Sequence, residues 1–259
     1  MSPLPSPDVC RRYHCARRDQ RRRNNGSDTP LRDEPQLQTW AADRTCSQLA
    51  ICSSFEERHT ARDFAVDAID LISSAQVPVV WALSAQGLES GAFGPLDIAK
   101  YLVSQILQLN HNLLNERSAS LSAARFRSAR SCQDWFNVLG SVLQGLEQLY
   151  IIVDVDLLGQ DMHEDIPWPD RFMQLADGLA SKSIHTAVKV AFICSRRQHK
   201  SRLGSLDRHR VLEIPEGRKS RVKKAERVQH RASRNSAASQ KRRSSFLRAV
   251  EDGVSAARV

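Results

Sequence analysis

Leu149-Tyr150-Ile151-Ile152-Val153-Asp154 is an unbroken apolar run, rich in β-branched residues, that ends on a carboxylate. A strand with one wet face alternates apolar and polar residues, whereas a continuous run of this length reads as a strand covered on both faces. Residues 77–83 (VPVVWAL) and 188–194 (VKVAFIC) have the same character, and shorter apolar runs at 49–52 and 211–214 are candidate first and last strands. Between these runs the apolar spacing changes to steps of three and four. Phe64, Ala65, Ala68, Ile69 and Ile72 mark a helix over 61–73, and Ile98, Leu102, Ile106 and Leu109 mark one opened by Pro95 with Asp97 in its first turn. Trp135, Val138, Leu139, Val142 and Leu146 predict a helix over 131–146, and Phe172, Leu175, Ala176 and Leu179 one that begins at Pro169. The order β, α, β, α, α, β, α, β, β predicts an α/β domain of three layers, a mainly parallel sheet between two layers of helices.

Charge divides the 259 residues into three segments. Residues 1–35 hold 8 Lys and Arg against 5 Asp and Glu, residues 217–259 hold 13 against 3, and the remainder holds 17 against 21. The net +9 therefore belongs to the ends, which are poor in apolar residues and rich in Ser, Arg, Asn and Gln. Such segments bury too little to offset ordering entropy, so the expected organisation is a disordered basic tail over 1–36, a folded domain over 37–216, and a disordered or partly helical basic tail over 217–259. No apolar stretch is long enough to span a bilayer and the Arg-rich start is unlike a signal peptide, which predicts an intracellular protein, cytoplasmic or nuclear, without a membrane partner. The six cysteines lack a Cys-x-x-Cys pair, which argues against a disulfide framework or a structural zinc site. Cys10, His14 and Cys15 supply part of a metal-ligand set, against the plainer reading of an Arg-rich tail. His59, His111, His163, His185 and His199 lie apart without metal-ligand spacing, and no Gly-x-Ser-x-Gly elbow presents a nucleophile. Trp40, Trp81, Trp135 and Trp168 fall on apolar faces or next to Pro, which suits core packing.

The chemistry-bearing residues gather around the central strand. Asp154 ends it, Asp156 follows two positions later, and the next strand continues into Ser195, Arg196 and Arg197. An acidic residue at the carboxyl end of a parallel strand can hold Mg²⁺ beside a phosphate; it can equally be a turn or capping residue. The ordered blocks VPVVWAL, PLDIAKYLVSQILQLN, ARFRSARSCQDWFNVLGSVLQGLEQLYIIVDVDLL and VKVAFIC resemble P-loop NTPase modules of the NACHT or STAND class, close to those in large filamentous-fungal proteins, over residues 37–214. The resemblance implies a P-loop fold, an acidic Walker B strand, a polar and basic pair that senses the γ-phosphate, and a Gly-x-x-x-x-Gly-Lys-Ser/Thr loop between the first strand and its helix. The class also carries further signalling and repeat domains, so the chain reads as a fragment or a shortened relative.

The phosphate loop departs from that pattern. Residues 53–60 read SSFEERHT, with Ser53 and Arg58 at the glycine positions, His59 at the lysine position and only Thr60 conforming. Side chains at the glycine positions obstruct a phosphate and disfavour φ > 0, and Glu56 and Glu57 repel it. A structural role suits the stretch, with Ser53 or Ser54 capping the helix and a Glu in its first turn. The expectation is a non-catalytic interaction or regulatory module with no cofactor, with protein partners or self-association as its business. The alternative is a weak NTPase in which Asp154 and Thr60 bind Mg²⁺ with ATP or GTP, Asp156 assists and Arg196 or Arg197 senses phosphate. A second alternative gives the work to 217–259, whose Lys/Arg clusters suit electrostatic binding of nucleic acid or nuclear import. Ser220, Ser233 and Ser244 follow basic residues there, and phosphorylation of them reduces that charge.

Overall fold

The computed structural model describes residues 5–25, 34–84, 93–110, 124–158, 167–195, 203, 206–207 and 210–214. Five strands, β1 (Ser47–Cys52), β2 (Val79–Ala82), β3 (Gln148–Asp154), β4 (Ala187–Cys194) and β5 (Val211–Glu213), form one sheet in the order β2-β3-β4-β1-β5. Every pairing is parallel, with Ile151 opposite Val190 and Ala191 opposite Leu49 across the centre. The helices are α1 (Pro7–Asn25), α2 (Pro35–Ala42), α3 (Arg58–Ser74), α4 (Pro95–Leu109), α5 (Cys132–Val142) and α6 (Trp168–Ser181).

Alternation along the strands divides the core. Leu149, Ile151 and Val153 of β3 and Val190 and Phe192 of β4 face Ile98, Leu102, Ile106, Phe136, Leu139 and Phe172 from α4, α5 and α6. Tyr150, Ile152, Ala191 and Ile193 face Leu37 and Trp40 of α2 and Phe64, Ala65, Ile69 and Ile72 of α3. Both faces are dry, which is why β3 is buried along its full length and why its sequence does not alternate. Three of the four tryptophans, Trp40, Trp81 and Trp168, are core residues, and Trp135 is half-buried against the core. The outward edge of β2 is closed by Gln105 of α4, whose amide accepts from Trp81 N at 3.1 Å and donates to Trp81 O at 2.9 Å. An exposed strand edge is thereby blunted.

Local chemistry sets most helix ends. Pro95 opens α4 and Asp97 accepts from Gly94 N, while Ser131 and Asp134 exchange backbone bonds as a capping box at α5. The helix expected to reach residue 146 stops at Val142, because Gly145 turns the chain with φ of 88°.

The expectation of a disordered N-terminal tail is corrected. Residues Pro7–Asn25 form α1, which lies antiparallel along α3, Arg18 and Arg22 meeting Asp67, Arg18 also meeting Asp70, and Arg21 meeting Asp63. Asp63, Asp67 and Asp70 recur at steps of four and three on one face of α3, so an acidic stripe receives the basic one. The backbone at the start of α1 is held as well, since Trp81 Nε1 donates to Pro7 O at 3.0 Å and the Tyr101 hydroxyl to Pro5 O at 2.9 Å. The segment has little apolar surface to bury, and ion pairing supplies the docking that composition alone argued against. The C-terminal tail 217–259, with Ser220, Ser233 and Ser244, lies outside the described residues.

Candidate functional site

All five strands point their carboxyl ends one way, and because β4 lies between β1 and β3, the segment after β1, the end of β3 and the end of β4 share one edge of the sheet. Asp154 is the last residue of β3 and is fully buried; Asp156 sits in the short 3-10 turn that follows and is 4% exposed. Ser195, next to β4, donates its hydroxyl to Asp156 Oδ2 and its backbone N–H to Oδ1 at 3.3 Å. Ser84, past the end of β2, donates its hydroxyl to Asp154 Oδ2 at 2.7 Å. The structure thus brings Asp154, Asp156 and the strand end at Ser195 together. Arg196 and Arg197 lie outside the described residues, as do His111, His163 and His199.

The residue that organises this edge went unnoticed in the sequence. Arg62, in the first turns of α3, reaches the carboxyl end of β3, with Nε 3.1 Å from Asp154 Oδ2 and Nη2 3.4 Å from Asp156 Oδ2. Burial opposes its charge, but Asp154 and Asp156 outweigh that cost and hold the guanidinium above its ordinary pKa. Burial, and then the neighbouring Asp154 charge, push the Asp156 carboxyl up, with Ser195 and Arg62 working against them. The signal available beforehand was slight: an arginine two residues beyond the hydroxyl position of the phosphate loop.

The loop itself is shorter than expected, because α3 begins at Arg58 and takes His59 and Thr60 into its first turn. Ser53 N donates to Cys194 O at 2.8 Å, which ties the loop to β4. Arg58 folds back, its Nη1 on Phe55 O at 2.6 Å and its guanidinium 3.9 Å from the Phe55 ring centre. Thr60 donates its hydroxyl to Glu57 Oε2 at 2.9 Å. The capping expectation is corrected in part: neither Ser53 nor Ser54 caps α3, whose N-cap is Glu57 without a side-chain cap bond, and Ser54 Oγ makes only a 3.4 Å contact with Glu57 N. None of residues 53–60 has φ > 0, so the backbone N–H groups do not converge into an anion cradle there. Partial burial and then Arg58, Arg21 and Arg62 hold the His59 imidazole below its ordinary pKa, so the lysine position presents a neutral ring.

A Mg²⁺ ion held by Asp154 and Thr60 does not fit these positions. Asp154 Oδ2 already accepts from Arg62 and from Ser84 O–H and N–H, which fills the acceptor directions of that oxygen, and Oδ1 accepts from Asp156 N at 3.1 Å. Thr60 faces Glu57 instead. Helix α1 adds a cover: His14 is buried and its Nε2 donates to Ser84 O, joining α1 to the Ser84–Asp154 contact. Burial is the main reason its imidazole titrates below the ordinary value. The Cys10, His14 and Cys15 set also disperses, since Cys10 packs beside Tyr101 and Cys15 faces Asp70. Among the described residues no group of three or more His, Cys, Asp or Glu could hold a metal ion, and no helix is long and apolar enough to cross a membrane.

At the opposite end of the sheet Lys189 of β4 is fully buried, and its Nζ donates to the carbonyls of Trp40, at 3.2 Å, and Asp43, at the end of α2. Burial lowers its pKa to about 8. No family model, curated protein or solved structure matches the chain.

Proposed function

We propose that the chain is a non-catalytic, STAND- or NACHT-like interaction module, a P-loop fold kept for its surfaces after its nucleotide chemistry was lost. The observation that carries this reading is the Arg62 bridge, which pairs with both Asp154 and Asp156 from within the chain. The strand order supports the P-loop part of the reading, because it brings the degenerate loop, the acidic strand and the sensor strand to one edge. The non-catalytic part is supported by the occupied carboxylates, by the Thr60–Glu57 bond and by a loop without the backbone turn that encloses phosphate. On this reading the protein acts through protein contacts or self-association, as a platform inside a larger assembly.

Thermal unfolding of the full chain with and without millimolar Mg²⁺-ATP or Mg²⁺-GTP tests it, because a ligand bound only by the native state raises the midpoint. The expected result is no shift on a cooperative transition. A nucleotide-dependent rise that disappears in Asp154→Ala overturns the reading in favour of a weak NTPase that uses Asp154 with Mg²⁺.

A further inference from the structure

The Asp154–Asp156 pair draws its counter-charge from its own chain. We propose that Arg62 is a built-in cation standing where a divalent metal would sit, so that the site is closed to Mg²⁺ and Mn²⁺ while Arg62 is present and opens to them when it is removed. The identity of the displaced ion rests on the P-loop reading; the occupancy by Arg62 does not.

A metal at this edge would have to bridge the two carboxylates, and the guanidinium does so already, touching Asp154 through Nε and Asp156 through Nη2. The other carboxylate oxygens receive N–H groups of the chain, Asp156 N on Asp154 Oδ1 and Ser195 N on Asp156 Oδ1. An incoming ion therefore reaches the two Oδ2 atoms, through which the pair is bridged, only by expelling Arg62. That exchange is unfavourable for two reasons. Arginine keeps its charge at any working pH, so no proton loss vacates the place. It is also tethered through α3, which gives it an effective concentration of about millimolar or more against a free ion. Removal of the side chain leaves two carboxylates and the hydroxyls of Ser84 and Ser195, an all-oxygen set of the kind that hard divalent cations take.

Mn²⁺ alone, without nucleotide, is the probe, read on the full chain by paramagnetic relaxation of water protons and by the thermal midpoint. The wild type is expected to bind no Mn²⁺ at this edge. Arg62→Ala is expected to bind it, with the midpoint rising by roughly 3–5 °C in millimolar Mn²⁺, and Arg62→Ala combined with Asp154→Asn to lose both effects. Mn²⁺ bound by the wild type and released by Asp154→Asn overturns the proposal, as does a folded Arg62→Ala that ignores Mn²⁺. Should Arg62→Ala fail to fold, Arg62→Gln is read in the same way, and the wild-type measurement decides in either case. With nucleotide absent, a folded Arg62→Ala that ignores Mn²⁺ overturns this proposal and leaves the non-catalytic reading standing, whereas a nucleotide-dependent shift of the wild type overturns that reading.

Discussion

Arg62, partly buried, and Lys189, fully buried, are cations at opposite ends of the same sheet, and their partners differ in kind. Arg62 meets two carboxylates, and its pKa rises above the ordinary value despite burial. Lys189 meets only backbone carbonyls as hydrogen-bond partners, and burial brings it down to about 8. A carbonyl supplies a partial charge and a direction; it does not supply the full opposite charge that offsets desolvation. The carboxyl end is thus a closed ion cluster, and the amino end is a docking point for α2 that carries a titrating group. Burial alone does not decide the state of a charge; the chemistry of its partners does.

The largest expected effect falls on the cluster. Arg62→Met keeps the apolar stem but leaves two buried carboxylates without a cation, and is expected to cost about 3–5 kcal/mol in urea unfolding. A cost under about 1 kcal/mol would mean that Asp154 and Asp156 sit near enough to water to need no partner, and the contrast between the two ends would fail.

Lys189 gives the next effect, and it depends on pH. A lysine whose folded pKa is lowered binds fewer protons when folded than when unfolded between about 8 and the ordinary 10.5. Stability therefore rises with pH across that window, by up to about 3 kcal/mol. Lys189→Met is expected to lack this rise, and at neutral pH to lie within about 1 kcal/mol of the wild type, because the relieved desolvation offsets the lost bonds to Trp40 and Asp43. Unfolding free energies of both proteins at several pH values check this; parallel profiles would show that Lys189 does not titrate there.

A smaller effect belongs to the most exposed pair between α1 and α3, Arg11 with Asp70, whose side chains are 34% and 30% exposed. A double-mutant cycle on Arg11→Ala and Asp70→Ala is expected to give a coupling of about 0.5 kcal/mol, falling as salt is raised. The same salt should leave the Arg62 cost nearly unchanged, since that cluster is shielded from the solvent. Equal salt dependence at both places would break the distinction between them.

Local rules made the sheet legible. The unbroken apolar runs identify β1 to β5 within a residue or two, because a strand covered on both faces has no polar positions to alternate. The absence of glycine from residues 53–60 announced a loop without positive φ, since backbone that takes φ > 0 at no steric cost needs glycine. The acidic pair was also visible, as was the strand end beside it. Helix α1 was misread because low apolar content argues for disorder only where no partner is in view, and its partners lie 42 to 52 residues away on α3. The acidic stripe of Asp63, Asp67 and Asp70 was a signal that could have been matched to Arg18, Arg21 and Arg22. A lysine inside the run VKVAFIC was likewise in plain view, but nothing local says that the carbonyls of α2 receive it.

By itself the sequence determined the strands, helices α3 to α6, the layering and the absence of positive φ from residues 53–60, because each follows from periodicity or from the steric freedom of single residues. The tertiary structure alone decided that Arg62 lies between Asp154 and Asp156, that Thr60 turns to Glu57, that α1 covers Ser84 and that Lys189 caps α2. Each of these is a meeting of charges or hydrogen-bonding groups brought together by the order of strands in the sheet and the seating of helices on it. Pairing of that kind leaves no period in the chain.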